Sequence, residues 1–236
     1  MKGLYWENVA KNSFQIISRF PHKILVAKAP SEIMREEVAG ASLIDVFDSD
    51  LTRGFRMFLN EIATGSSGAA LTFAKSQIKA VQEGLGKHQL NHNQNRTDLE
   101  MIVEQIKSVI RTRGYRKILD PIESELCRMS ITFQLASEAV LRSLIQQGVL
   151  IGKAQELANR DSCCLRQCIG VYCLSFKWAL LGCLPGPPKV TNEVMDSDQA
   201  LIGTYCDEIL TTELSVSLLR DEILQVLSSN VACALP

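Results

Sequence analysis

The sequence has few aromatic residues and few histidines, and neither sign of charge prevails over the whole chain. Aromatic residues form 6% of the 236 residues, and three histidines are present. The 25 Lys and Arg residues nearly balance the 26 Asp and Glu residues, which excludes a histone-like polycation and an acidic chaperone. With 46% hydrophobic and 22% charged residues, the composition is that of a globular protein rather than of a disordered chain.

The common motifs of catalysis are also missing. The Gly-Ser-Ser-Gly segment at 65–68 lacks the Gly-Lys-Ser/Thr ending of a phosphate-binding loop, and no Gly-x-Ser-x-Gly elbow occurs. Adjacent carboxylates such as Glu36 and Glu37 point in different directions on a helix and are predicted to be solvated. The sequence therefore predicts no catalytic residue, although an enzyme whose site is assembled from distant residues stays open.

Metal and cofactor sites are not predicted either. His88 and His92 stand four residues apart, a spacing that can chelate a metal on a helix, but they have no adjacent third ligand. Five of the eight cysteines lie within residues 163–183 without paired Cys-x-x-Cys spacing. We expect these cysteines to be small buried hydrophobic residues, with no metal and no cofactor bound.

The cysteines and the N-terminal residues indicate the compartment. A signal peptide begins with basic residues that are followed by an apolar core, and the first residues of this sequence lack that pattern. We therefore expect reduced cysteines and an intracellular, cytoplasmic protein. Residues 163–184 are long enough to span a bilayer, but Arg166 and Lys177 interrupt them. Each of these charges costs about 3 kcal/mol near a membrane centre, so a buried core helix is predicted and a transmembrane segment is not.

Apolar residues recur with the period of an α-helix along most of the chain. Leu99, Val103, Ile106 and Ile110 fall on one helical face, and Asp120-Pro121 is a typical helix start. In the segment 163–184, apolar residues occupy all sides of the predicted helix, as is typical of a central helix. We therefore predict an all-α bundle of about seven to nine helices, with a long central helix near 120–147 and a buried apolar helix near 163–184.

Two polar stretches suggest how the chain is organised. We predict an N-terminal helical subdomain at 1–86, a polar loop at 87–97 and a main helical bundle at 98–236, and a single domain is also compatible with this pattern. A second connector is predicted at 185–197, before helices near 198–210 and 212–228.

Charge is distributed unevenly along the chain. Residues 190–236 contain one base and eight acids, for a net charge of −7, whereas residues 1–189 contain 24 bases and 18 acids, for a net charge of +6. The neutral total therefore hides a basic body and an acidic C-terminal region.

The most basic local segment is the candidate binding site. Arginines and lysines around an aromatic ring suit nucleic acid, because the charges bind phosphates and the ring stacks on a base. Bases also favour a helix C-terminus, and this segment could instead meet the acidic C-terminal helices within the chain or across a dimer. The basic cluster consists of Lys107, Arg111, Arg113, Tyr115, Arg116 and Lys117.

Three short segments are similar to a viral family. In sequence and order, Leu43–Asp45, Asp50–Arg53 and Ala136–Leu141 resemble the helical core of phlebovirus non-structural NSs proteins, which antagonise host innate signalling. The Trp-Pro element that those proteins carry between the segments is missing here. The resemblance implies a helical viral protein as an alternative, and it implies no site residue.

We expect a non-catalytic intracellular interaction protein that binds other proteins through helical surfaces and associates with itself, as an adaptor, regulatory factor or assembly subunit. One alternative is a viral helical factor that binds RNA or an acidic membrane, or that antagonises host innate signalling. The other alternative is an enzyme whose site the sequence does not reveal.

Charge reversal in the basic cluster tests whether it meets the acidic region. We expect a variant carrying Arg111→Glu, Arg113→Glu and Arg116→Glu to melt at a lower temperature or to lose its partner copy at low salt, because like charges then repel. High salt should restore the wild-type behaviour by screening that repulsion. Melting curves and light scattering across a salt series measure both effects, and an unchanged melting temperature and mass would contradict the pairing.

Overall fold

Helices dominate the structure. The computed structural model describes residues 16–20, 24–40, 45–63, 92–112, 121–209, 211 and 213–233. Within these residues it contains eight helices and two strands of two residues, which confirms the predicted all-α, multi-helix fold. The strands are β1 (Val26–Ala27) and β2 (Phe47–Asp48), and the helices are α1 (Pro30–Ala39), α2 (Ser49–Ala63), α3 (His92–Thr112), α4 (Pro121–Gln146), α5 (Ile151–Asn159), α6 (Cys163–Leu181), α7 (Pro187–Gly203) and α8 (Leu214–Cys233).

The contacts divide the chain into two units. Residues 1–28 and 45–90 form the first unit, and residues 29–44 and 91–236 form the second. Helix α1 thus belongs to the second unit, although it precedes β2 and α2 of the first unit in the sequence. The predicted subdomain boundary at 87–97 stays a prediction.

The first unit joins the two short strands to α2. β1 and β2 pair antiparallel, and the Thr52 hydroxyl of α2 accepts a hydrogen bond from the Val26 amide at 2.9 Å. The Arg56 guanidinium binds the Ile24 carbonyl oxygen through two nitrogens. Asp48 caps α2, which begins at Ser49, because its carboxylate accepts a hydrogen bond from the Leu51 amide at 2.7 Å.

Helix α6 is the centre of the second unit, as predicted for the apolar segment 163–184. It contacts α1, α3, α4, α5, α7 and α8. Leu165, Ile169 and Phe176 are completely buried, and Trp178 is nearly so. No helix among the described residues is both long and apolar enough to cross a membrane.

Side-chain oxygens accept hydrogen bonds from the first backbone amides of α6, which are buried inside the protein. The Glu37 carboxylate of α1, which is 4% exposed, accepts hydrogen bonds from the Cys163 amide at 2.6 Å and the Cys164 amide at 3.1 Å. The Ser162 hydroxyl accepts the Leu165 amide at 3.0 Å. Since an unpaired buried amide destabilises a fold, this arrangement allows α6 to begin inside the protein. The expectation that Glu37 is solvated was wrong.

Arg166 connects the start of α6 to the end of α7. Its guanidinium binds both carboxylate oxygens of Asp161, at 2.6 Å and 2.7 Å, and the Thr204 carbonyl oxygen at 2.9 Å. It also lies 4.2 Å from the centre of the Tyr205 ring, a cation–π distance. The charge that argued against a membrane helix is therefore paired inside the bundle.

Two helices begin earlier than the sequence predicted. Helix α3 begins at His92, so residues 92–97 of the predicted polar loop are helical. Helix α7 begins at Pro187, within the predicted connector at 185–197. Proline is favourable in the first helical turn, because a backbone N–H at that position would have no acceptor within the helix. Pro187 therefore begins a helix rather than preventing one.

Removing the Glu37 carboxylate tests whether it is the main cap of α6. We expect Glu37→Ala to lower the free energy of unfolding by about 2–4 kcal/mol, because two buried amides lose their acceptor. Arg35→Ala, on the exposed side of the same helix, should change it by less than about 0.5 kcal/mol. Urea unfolding followed by circular dichroism measures both variants, and equal effects would contradict this role of Glu37.

Candidate functional site

The predicted basic cluster lies partly on α3. Lys107 and Arg111 are one turn apart, and Arg111 is exposed. The Lys107 Nζ atom lies 2.8 Å from a Glu104 carboxylate oxygen and 3.4 Å from the Gly182 carbonyl oxygen at the end of α6. Its hydrogen bond lowers the pKa of Glu104, and its charge lies at the negative end of the α6 dipole. Lys107 therefore has structural partners. Four members of the cluster lie outside the described residues, namely Arg113, Tyr115, Arg116 and Lys117.

Two acidic side chains, one on α7 and one on α8, have basic partners on α6 and α4. Glu193 accepts the Trp178 indole N–H at 2.8 Å and lies 3.4 Å from Lys177 Nζ. Glu222 forms an ion pair with Arg128 of α4. These pairs reduce the negative charge that the C-terminal helices present to a partner. The expected contact between these helices and the basic cluster stays a prediction.

An apolar groove is present among the described residues of the second unit. It lies between α6, α7 and α8, with a volume of about 540 Å³. Leu174 and Leu219 are buried in its floor. Leu180, Leu181 and Leu218 line it and are 59%, 69% and 59% exposed. The groove thus combines a packed floor with leucines that remain in contact with water.

Charged side chains surround these leucines. Glu193 pairs with Lys177 and Lys189, and Arg128 pairs with Glu222 and Glu125, so each of these side chains has an oppositely charged partner. Asp196 also lines the groove and is partly buried, and it has no ion pair within the described part of the chain. The groove therefore combines an apolar surface with one carboxylate, Asp196, that forms no ion pair among the described residues.

The sequence did not predict this groove. The all-round apolar pattern at 163–184 predicts a helix covered on every side. The apolar residues are covered or partly covered through Ala179, although Lys177 is exposed, and the last two residues of α6, Leu180 and Leu181, are exposed. The available signal was the pair Leu180-Leu181 immediately before the Gly182 end of the helix. Apolar residues in a final turn are ambiguous, because their burial depends on where neighbouring helices cross.

The buried cysteines lack the features of a nucleophile. Burial raises the pKa of Cys163 to about 12 and that of Cys168 to about 11, and it also raises the pKa values of Cys164 and Cys173. A nucleophilic cysteine needs a lowered pKa, because the thiolate is the reactive form. The seven cysteines whose side chains are described are free thiols, and Cys183 is exposed.

A metal site receives no support from the described side chains. Among them, no group of three or more His, Cys, Asp and Glu residues is placed to bind a metal ion. His88 and the side chain of His92 lie outside the described part, so the expectation for that pair stays a prediction.

Thiol labelling tests the low reactivity expected of Cys168, which is partly buried and has a raised pKa. In a short iodoacetamide pulse at pH 8, we expect the exposed Cys183 to react roughly tenfold or more faster than Cys168, because the raised pKa of Cys168 leaves little thiolate. Peptide mass spectrometry reports each site. In denaturant the two sites should react alike, and comparable rates in the native protein would contradict the structure.

The chain was also compared with known proteins. No family model, no curated protein and no solved structure matches it. The similarity to phlebovirus NSs proteins therefore rests on its three short segments, and the candidate site is defined by geometry.

Proposed function

We propose that this chain is a non-catalytic interaction protein that binds other proteins through the apolar groove between α6, α7 and α8. The observation that carries the proposal is the group of exposed leucines in the groove, Leu180, Leu181 and Leu218. Single exposed apolar residues are common in proteins, but a concave cluster with a charged rim is typical of a binding surface.

The surroundings of the groove support binding rather than catalysis. The charges at its rim mostly form ion pairs with one another, as Lys177 does with Glu193, instead of converging on a common point. The buried thiols nearby have raised pKa values, as Cys173 does. Recognition through apolar contacts requires neither a nucleophile nor a general base.

The proposal includes an intracellular setting and self-association. Free thiols at seven cysteines suit a reducing compartment. An exposed apolar groove favours association, and a second copy of the chain is always present at the protein's own concentration. We treat the groove as the surface that mediates contacts with other proteins and with a second copy.

A charge placed in the groove tests the proposed function. We expect Leu218→Glu to reduce the protein's oligomeric mass and to release bound proteins, because a carboxylate cannot be buried unpaired at an apolar contact. Met101→Glu on α3 is a matched control, since Met101 is 62% exposed in the middle of a helix outside the groove. Light scattering measures mass, and affinity capture with quantitative mass spectrometry measures which proteins each variant loses relative to the wild type.

The two variants must both remain folded, which circular dichroism and thermal melting establish. If Leu218→Glu and Met101→Glu retain the same partners and the same mass, the groove is not the interaction surface. If the protein is a monomer that binds single-stranded RNA at low salt and releases it at high salt, equally in both variants, the polyanion-binding alternative replaces this proposal.

A further inference from the structure

The walls of the groove have the length of two helical turns. On α6, Leu174, Lys177 and Leu181 follow each other at three- and four-residue spacing, and on α8 the wall runs from Ser215 to Glu222. At 1.5 Å per residue, each wall is about 10–12 Å long. An amphipathic helix that presents apolar residues at positions i, i+4 and i+7 covers the same length.

The groove's charge restricts which helix fits. Asp196 is partly buried at the groove and has no ion pair among the described residues, whereas Arg128 and Lys177 are already paired there. A partner that covers Asp196 removes water from this carboxylate, which is unfavourable unless the partner supplies a positive charge. A partner with a carboxylate at that point would add repulsion between like charges.

Resting on the proposed function, we infer that the groove binds one amphipathic α-helix of a partner protein. This helix places leucine-like side chains between Leu180 and Leu218, and it carries a lysine or arginine that pairs with Asp196. The apolar contacts supply most of the affinity, and the ion pair selects basic helices over acidic ones.

Two designed peptides test this inference. Both are fluorescein-labelled, alanine-based helices of about 16 residues with leucines at i, i+4 and i+7, the length that covers the groove with a turn at each end. Lysines flank the leucines in one peptide and glutamates flank them in the other. Fluorescence polarisation with the full-length protein measures both dissociation constants in low and moderate salt.

We expect the lysine peptide to bind roughly fivefold more tightly than the glutamate peptide, a ratio that is typical of one partly exposed ion pair. Asp196→Asn should remove most of this preference while leaving the binding of the glutamate peptide unchanged or stronger. Leu218→Glu should weaken both peptides by at least about tenfold, because it disrupts the apolar contact. Met101→Glu should bind both peptides as the wild type does.

The outcomes separate this inference from the proposed function. Equal binding of the two peptides, or a preference that persists in Asp196→Asn, overturns the selection by charge. If neither peptide binds while Leu218→Glu still loses partners in the capture experiment, the helix partner is wrong and the groove remains the interaction surface. A wild-type dimer that becomes a monomer in Leu218→Glu and binds neither peptide identifies a second copy as the occupant, and this also overturns the inference.

Discussion

The second unit depends on the burial of the N-terminal end of α6. Helix α6 contacts every other described helix of this unit, and Cys163, Cys164 and Leu165 in its first turn are buried. Glu37 and Ser162 accept hydrogen bonds from the backbone amides of these three residues. Without these acceptors a central helix could not start inside the bundle, because each unpaired amide would cost about 1–3 kcal/mol. The carboxylate also joins α1 to α6, one of the helices of this unit that α1 contacts.

Glu37 shows where sequence patterns fail. Glu36 and Glu37 are adjacent and equally charged, and the pattern of residues predicted that both are solvated. The structure buries Glu37 on the same face as Ile33, one helical turn earlier, while Glu36 stays only partly covered. Helical periodicity places Glu37 on the same face of α1 as Ile33. It could not show that this face would meet the first backbone amides of α6, which need hydrogen-bond acceptors. That partner lies 126 residues away in the chain.

Helix positions were more predictable than the site. Apolar periodicity predicted the long helix α4 and the buried helix α6 nearly to their ends, because periodicity reports directly on a buried face. It missed the start of α7, where Pro187 was taken as part of a connector. It also could not distinguish Leu174 from Leu180, which lie on the same helix with opposite exposure. Burial on this helix depends on the neighbouring helices that pack against it, which no local pattern contains.

The two ends of α6 have different physical roles. Polar side chains satisfy the N-terminal end, and the leucines of the last turn remain in water about 25 Å further along the helix. Leucines at 59% and 69% exposure contribute little burial to folding, so the stability of the chain does not require them at those positions. The proposed contact with another protein gives these apolar residues a role that packing within the chain does not. If that proposal holds, stability and recognition depend on opposite ends of the helix, and substitutions in the groove change binding without unfolding the bundle.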